Sequence, residues 1–358
     1  MDWQQIQQMH SNAIALMTGG FGFYSEIGLP HVPSVESMRT MMPESDLWPV
    51  NATGMWSYHQ IDSTNTSGGK YLKKIESEYG ESTGIEQFCQ KAAALNYNYN
   101  RAIMEAAGNS MWKGCNGVLL WMSKSAWANL NWSTYDYYNG VDGTYFGVKK
   151  ACEPVHIQWD LRTWQVSVVN ATRTDLNRLT AVAQVYDLNG TLTATQSSIV
   201  NAAANQVTDV FTIKKPTGLS ATHFIRLLLK NGEVTISKNF YWDGNQYENY
   251  TALNSLDKVT LDLSASARTI EDETVLSAVL KNPTPVIAFM ARISLMRGKS
   301  GERVLPTFYS DNYLSLLPGE SETLIIRCKT ADLADMDAKL NLDGFNIGKA
   351  FLDVPLKH

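Results

Sequence analysis

The chain has 358 residues, with 30 Lys+Arg against 35 Asp+Glu, a net charge of −5, and 44% hydrophobic and 18% charged residues. At about 100–200 residues per domain this is two or three domains with cores of their own, and the composition is that of a folded chain. The negative balance argues against a nucleic-acid or anionic-membrane partner, and no run of 18 apolar residues is available to span a bilayer.

The opening Met1-Asp2-Trp3-Gln4-Gln5 lacks the basic start and apolar stretch of a signal peptide. Trp3, Ile6, Met9, Ala13 and Leu16 recur at the spacing of one helix face. Gly19-Gly20 ends that helix, and Phe21–Ser25 reads as a short buried strand. After Pro30 and Pro33, Ser34 is placed to cap a helix with Glu36 in its first turn, stopping before Pro43. A long irregular stretch follows from Pro43 to Gly69. Loops of that length are usually functional.

Apolar residues Ile85, Phe88, Ala92, Leu95, Ala102, Ile103 and Ala106 predict a helix over 84–107. Val118–Met122 is a continuous apolar run, the pattern of a strand buried on both faces. A second aromatic loop covers 123–143 and leads into a short helix over 145–151. Helix, buried strand and long loop in alternation predict a parallel sheet.

Beyond Glu153-Pro154 the period changes to two. Strands are expected at 164–170, 181–186, 207–213 and 224–229, with turns at Asn189-Gly190 and Asn231-Gly232. A second set is expected around 259–263, 289–295 and 324–328, with a turn at Pro318-Gly319. Each set is about a hundred residues, the size of one immunoglobulin-like sandwich.

Two β/α units cannot close a sheet, and a (β/α)8 barrel takes about 250 residues. The expected fold is therefore multidomain: α/β over 1–154, forming the C-terminal part of a (β/α)8 barrel, then all-β sandwiches over 155–257 and 258–358. In such a barrel the loops after the strands build the active site. Glu26 stands at that end of the first strand, where a carboxylate suits a nucleophile or general acid, although a solvated or paired Glu is the commoner case from position alone.

There are 10 Trp, 16 Tyr and 11 Phe, with the Trp crowded before residue 165. Such a cluster serves a large core, an interface or a platform for flat ligands such as sugar rings. Cys89, Cys115, Cys152 and Cys328 fall in no metal or CxxC spacing and read as scattered buried thiols. No phosphate-binding Gly loop or nucleotide fingerprint occurs. His10, His31, His156 and His223 read as surface or satisfied core histidines.

Phe23-Tyr24-Ser25-Glu26-Ile27-Gly28 resembles the nucleophile strand of glycoside hydrolase family 2, in the subgroup of β-mannosidases, exo-β-glucosaminidases and plant endo-β-mannosidases. Met55–His59 resembles the loop after that strand, and Phe88–Ala92 with Asn100-Arg101-Ala102 the penultimate helix. Gly117–Trp121 resembles the eighth barrel strand, and Ser125-Ala126-Trp127 with Tyr135-Asp136-Tyr137 its loop. Tyr145–Gly147 and Cys152–His156 resemble the exit into the first sandwich. Ser310–Tyr313 and Leu317–Glu320 resemble the subgroup's C-terminal domain. These motifs run through nearly the whole chain in order.

The resemblance implies a retaining glycosidase that needs no cofactor and no metal. Two carboxyl groups about 5–5.5 Å apart flank the bond, one attacking and one protonating the leaving oxygen. Glu26 matches the nucleophile and Trp121 the aromatic floor under the sugar being cleaved off. His59, Trp56 and Trp127 lie in loops that would rim the pocket, with sugar contact and core packing both open for each. The parent substrate would be a β-mannoside or β-glucosaminide, which points to a periplasmic or secreted enzyme.

The acid/base of the family comes from an earlier strand, in an Asn-Glu or Ser-Asp-Glu context that this chain does not contain; only Asp2 precedes Glu26 among carboxylates. The expectation is a C-terminal portion inactive alone: losing one carboxyl costs much of the acid/base contribution of about 10²–10⁴-fold, and the missing sugar-binding strands cost more. Its partners would be the carbohydrate and the missing N-terminal part of the barrel. A non-catalytic carbohydrate-binding or structural fragment is the alternative. Ala128, where the family often has Pro, leaves the shape of the strand-eight loop open.

Overall fold

Two parallel strands and six helices form the first part of the computed structural model, which describes residues 22–50, 53–59, 68–244, 248–333 and 337–356. The helix expected over 3–16 lies outside the described residues. Strand β1 (Gly22–Ile27) is followed by helices α1 (Val35–Met41), α2 (Glu44–Leu47), α3 (Gly54–Tyr58), α4 (Gly68–Tyr79) and α5 (Ile85–Asn109). Then come β2 (Cys115–Leu120) and α6 (Gly143–Ala151). β1 and β2 pair in parallel, with Phe23 opposite Gly117 and Tyr24 opposite Val118.

The helix expected over 84–107 is α5, and its buried residues extend beyond one stripe to Lys91, Asn96, Asn98, Arg101 and Glu105. A helix is buried all round only when layers flank it on opposite sides. Here the second layer is the first β-sandwich. α6 packs so closely that a Cβ at Gly147 would fall against the Tyr97 backbone of α5.

Three expectations change. The irregular stretch expected over Pro43–Gly69 contains α2 and α3, short helical turns anchored by buried Leu47 and Trp56. α4, with Tyr71, Ile75 and Tyr79 buried four residues apart, was not anticipated. The strands expected to be buried on both faces are not. Tyr24, Ile27 and Val118 pack on the helical core, whereas Phe23, Leu119 and Trp121 are 53%, 55% and 51% exposed. Burial on both faces needs a covering layer on each, and among the described residues the helices cover only one.

The first sandwich has sheets β3-β4-β7 and β6-β5-β8-β9, built from β3 (Val155–Trp159), β4 (Gln165–Asn170), β5 (Leu176–Asp187), β6 (Leu192–Ala202), β7 (Gln206–Thr212), β8 (His223–Asn231) and β9 (Val234–Asp243). Ile157, Val166 and Val168 of one sheet share a core with Leu179, Ala181, Ile225 and Leu227 of the other. In the second, β10 (Asp262–Ile270), β11 (Glu273–Lys281), β15 (Ser321–Lys329) and β13 (Phe308–Tyr309) form one sheet in that order, and β14 (Leu314–Leu316), β12 (Ala288–Arg297), β16 (Asp337–Asp343) and β17 (Ala350–Pro355) the other. β12 and β16 face β11 and β15 across that core.

Charged residues join the parts. Arg101 of α5 donates to Asn239 and to the Phe240 carbonyl at 3.1 and 2.7 Å and lies 4.1 Å from the Tyr241 ring centre, a cation–π contact in a dry setting. Glu105 accepts from Asn239 and Tyr241, both at 2.7 Å, and meets His156 Nε2 at 2.9 Å. Arg292 of the second sandwich grips Glu36 of α1 through two nitrogens, at 2.7 and 3.0 Å, and Asp343 at 2.6 and 2.8 Å. All four cysteines are free; Cys152 is exposed rather than buried, as the last turn of α6 leaves it at the surface.

Candidate active site

Both strands end at the same edge because they are parallel, so the loops that follow them share one face. Between Tyr24↔Val118 and Ile27↔Leu120 the register gains a residue on β1. Ser25 and Glu26 thus stand against Leu119 alone. This is a β-bulge, a device that re-aims side chains beside functional sites. The alternation along β1 breaks at this point, and Ser25 and Glu26 are both exposed. Among the described residues Glu26 has no hydrogen-bond or ion-pair partner.

Trp121 follows β2, and its amide donates to the Ile27 carbonyl at 2.8 Å. The next residue but one after Glu26 is Gly28, where a Cβ would fall inside the Trp121 carbonyl oxygen. Only glycine permits that approach. The structure thus brings Glu26 and an exposed Trp121 to one edge of the sheet.

The loops after the two strands are stitched together. The His31 amide donates to the Leu130 carbonyl at 3.4 Å, and the Leu130 amide to the His59 carbonyl at 2.8 Å. His59 Nδ1 meets the Ala128 carbonyl at 2.7 Å, which makes it the donor in the neutral tautomer. The His59 ring stacks on Trp127 at 5.8 Å between centroids, and Tyr58 meets Trp127 edge-on at 5.6 Å. His59 is buried, and among the described residues its Nε2 has no hydrogen-bond partner.

Trp56 is a correction. It is fully buried, donates Nε1–H to the Asp46 carbonyl at 2.8 Å and sits edge-on to Phe88 at 5.9 Å. An indole enclosed on every side offers no face to a sugar, so its role is packing. Tyr58, 64% exposed, is the residue that pattern reading missed. Two helical positions apart means about 200° of rotation, so an inward Trp56 turns Tyr58 outward.

The carboxylates of the strand-two loop are otherwise engaged. Asp142 accepts from the Thr144 amide at 2.9 Å, capping α6, and pairs with His31 Nε2 at 2.5 Å. Burial opposes charge on His31, but Asp142 outweighs it and raises the imidazole's pKa. Asp136 accepts from the Tyr138 and Gly140 amides at 2.9 and 2.6 Å. Glu36 is turned away toward Arg292.

Residues 239–347 match the exo-beta-D-glucosaminidase Ig-fold domain family, and residues 162–243 the mannosidase Ig/CBM-like domain family. An exo-beta-D-glucosaminidase of Streptomyces avermitilis is 30% identical, the match covering 92% of this chain and 40% of that protein. A mannosylglycoprotein endo-beta-mannosidase of Lilium longiflorum is 25% identical over 93% of this chain and 42% of its own length. The crystal structure of Amycolatopsis orientalis exo-chitosanase CsxA superposes with a TM-score of 0.85 at 26% identity, over 93% of this chain and 43% of that one. The chain thus spans about two fifths of the length of the relatives it matches.

Proposed function

We propose, for a chain that belongs to the exo-β-glucosaminidase and β-mannosidase branch of glycoside hydrolase family 2, that Glu26 is the nucleophile of a retaining β-glycosidase. Its carboxylate attacks the anomeric carbon as the leaving oxygen takes a proton from a second carboxyl, and water then releases the glycosyl-enzyme. Trp121 supplies the apolar wall for the C–H face of that sugar, with Trp127 and Tyr58 at the rim. Residues 1–154 act as the last two β/α units of the barrel, and the two sandwiches follow over 155–257 and 258–358. The acid/base group belongs to sequence outside this chain, so the chain alone is inactive. The substrate is a β-glucosaminide or β-mannoside.

The supporting observation is the bulge that turns an unpaired Glu26 outward beside the Trp121 edge of β2. The uncovered faces of Phe23, Leu119 and Trp121 fit a sheet that other strands complete. The test is azide rescue of Glu26→Ala in the polypeptide joined to its upstream reading frame, on an aryl β-glucosaminide and an aryl β-mannoside. The variant should be inactive, and azide should restore phenolate release while attacking the anomeric carbon to give the α-glycosyl azide. Full activity in Glu26→Ala, or azide product of β configuration, refutes the assignment.

A further inference from the structure

The loop that presents Trp127, Tyr135 and Tyr137 is closed by Asp136, which accepts the Tyr138 and Gly140 amides on one oxygen. Its other oxygen accepts from the Ser37 hydroxyl of α1. Ser37 and Asp136 are both buried, at 0% and 6% exposure. The Ser37 oxygen in turn accepts from Arg303 Nη2 at 2.7 Å, and Arg303 Nη1 donates to Ser34 at 3.0 Å. Arg303 belongs to the second sandwich, where it bridges Met296. A serine hydroxyl has one proton. With its lone pair held by a guanidinium, that proton is left to face Asp136.

We propose that Arg303 is a positioning residue, through which the second sandwich sets the strand-two loop by the relay Arg303 to Ser37 to Asp136. This explains why the Ser34 side chain makes no capping bond to α1: its oxygen serves the arginine. It also gives the sandwich a task distinct from binding sugar. The benefit of an ordered aromatic loop to a sugar site rests on the glycosidase reading above; the coupling itself does not.

Hydrogen exchange of the 358-residue chain tests the coupling without any assay of activity. Removing one link leaves a buried polar group without one of its partners, so Arg303→Ala and Ser37→Ala should each speed exchange over 134–141 about tenfold, which corresponds to about 1.4 kcal/mol. Strands β5 and β8 of the first sandwich should exchange as in the parent. The double variant should add little to either single one, the mark of a shared pathway, and Arg303→Lys should restore part of the protection. Unchanged exchange over 134–141 in Arg303→Ala, or additive effects in the double variant, overturns the proposal. Where Arg303→Ala loosens the control strands as well, Ser37→Ala decides: protection retained there equally refutes the relay. Failure of azide rescue at Glu26 with the exchange coupling intact would remove the glycosidase reading and leave the relay standing.

Discussion

Trp121 and Ile27 share a hydrogen bond of 2.8 Å between amide and carbonyl, and Glu26 is the residue before that carbonyl. The bond fixes the indole-bearing residue to the end of the strand that carries the carboxylate. Gly28 lets the two backbones approach. Any displacement of Trp121 is therefore a displacement of the strand end beside Glu26.

Two of the three tryptophans assigned to the pocket from sequence should part company on mutation. Trp121 is half exposed and Trp56 fully enclosed. Trp56→Ala opens a cavity under Phe88 and should cost about 3–5 kcal/mol, read as a lower urea midpoint. Trp121→Ala should leave the unfolding free energy within about 0.5 kcal/mol of the parent's and lower kcat/KM on an aryl β-glucosaminide in the assembled enzyme. Equal loss of stability in both would place Trp121 in the core.

The 358-residue chain by itself should show no measurable steady release of nitrophenolate from PNP-β-D-glucosamine, since it lacks the second carboxyl that activates water to free the glycosyl-enzyme. Turnover abolished by Glu26→Gln would confirm the nucleophile and refute the claim that the acid/base lies elsewhere. The exposed Phe23, Leu119 and Trp121 face also predicts concentration-dependent association, visible by light scattering and reduced by Leu119→Lys.

How much of this could be read beforehand follows from which signals are local. The apolar stripe from Ile85 to Ala106 announced α5, and alternation announced β4, β5, β7 and β8, because both are patterns within one element. Strands β3, β6 and β9 were less visible. β6 is an edge strand whose residues are largely exposed, so it has weak alternation to show. The bulge at Ser25–Glu26 and the fate of Trp56 were hidden for another reason: each depends on what a distant segment, β2 or Phe88, places opposite. Glu26 and Trp121 came from motif resemblance rather than from periodicity.

Arg292 tests the joint between α1 and the second sandwich. It is enclosed and holds Glu36 and Asp343 together, so Arg292→Ala strands two carboxylates and should cost about 3–5 kcal/mol. Burial alone would raise the Glu36 carboxyl, but Arg292 dominates and drives it far below the usual carboxylate range. A depressed carboxylate contributes stability that is present above its unfolded pKa and lost as pH falls. The parent should therefore weaken steeply below about pH 4.5. Glu36→Gln should be weaker at pH 7 and show a flatter acid limb in denaturant titrations; a parallel limb would mean that Glu36 does not control it.

Asp243 works in the opposite sense. Burial pushes its carboxyl up to about 7, the Gly244 amide and Lys215 offsetting only part of that. His223, 3.4 Å away, is itself lowered, first by burial, so it supplies little charge to hold the carboxylate. Between about pH 4 and 7 the folded state keeps a proton that the unfolded chain has released, and stability falls as pH rises through that window. Glu248 is also raised to about 7, by burial and then by Glu78, and adds to the same slope. Asp243→Asn removes one of the two groups. Its melting temperature should decline less between pH 5 and 8 than the parent's, by several degrees at about 2–4 °C per kcal/mol. Identical slopes in scanning calorimetry would show that Asp243 is ionised in the fold throughout, and would locate the neutral carboxyl at Glu248 instead.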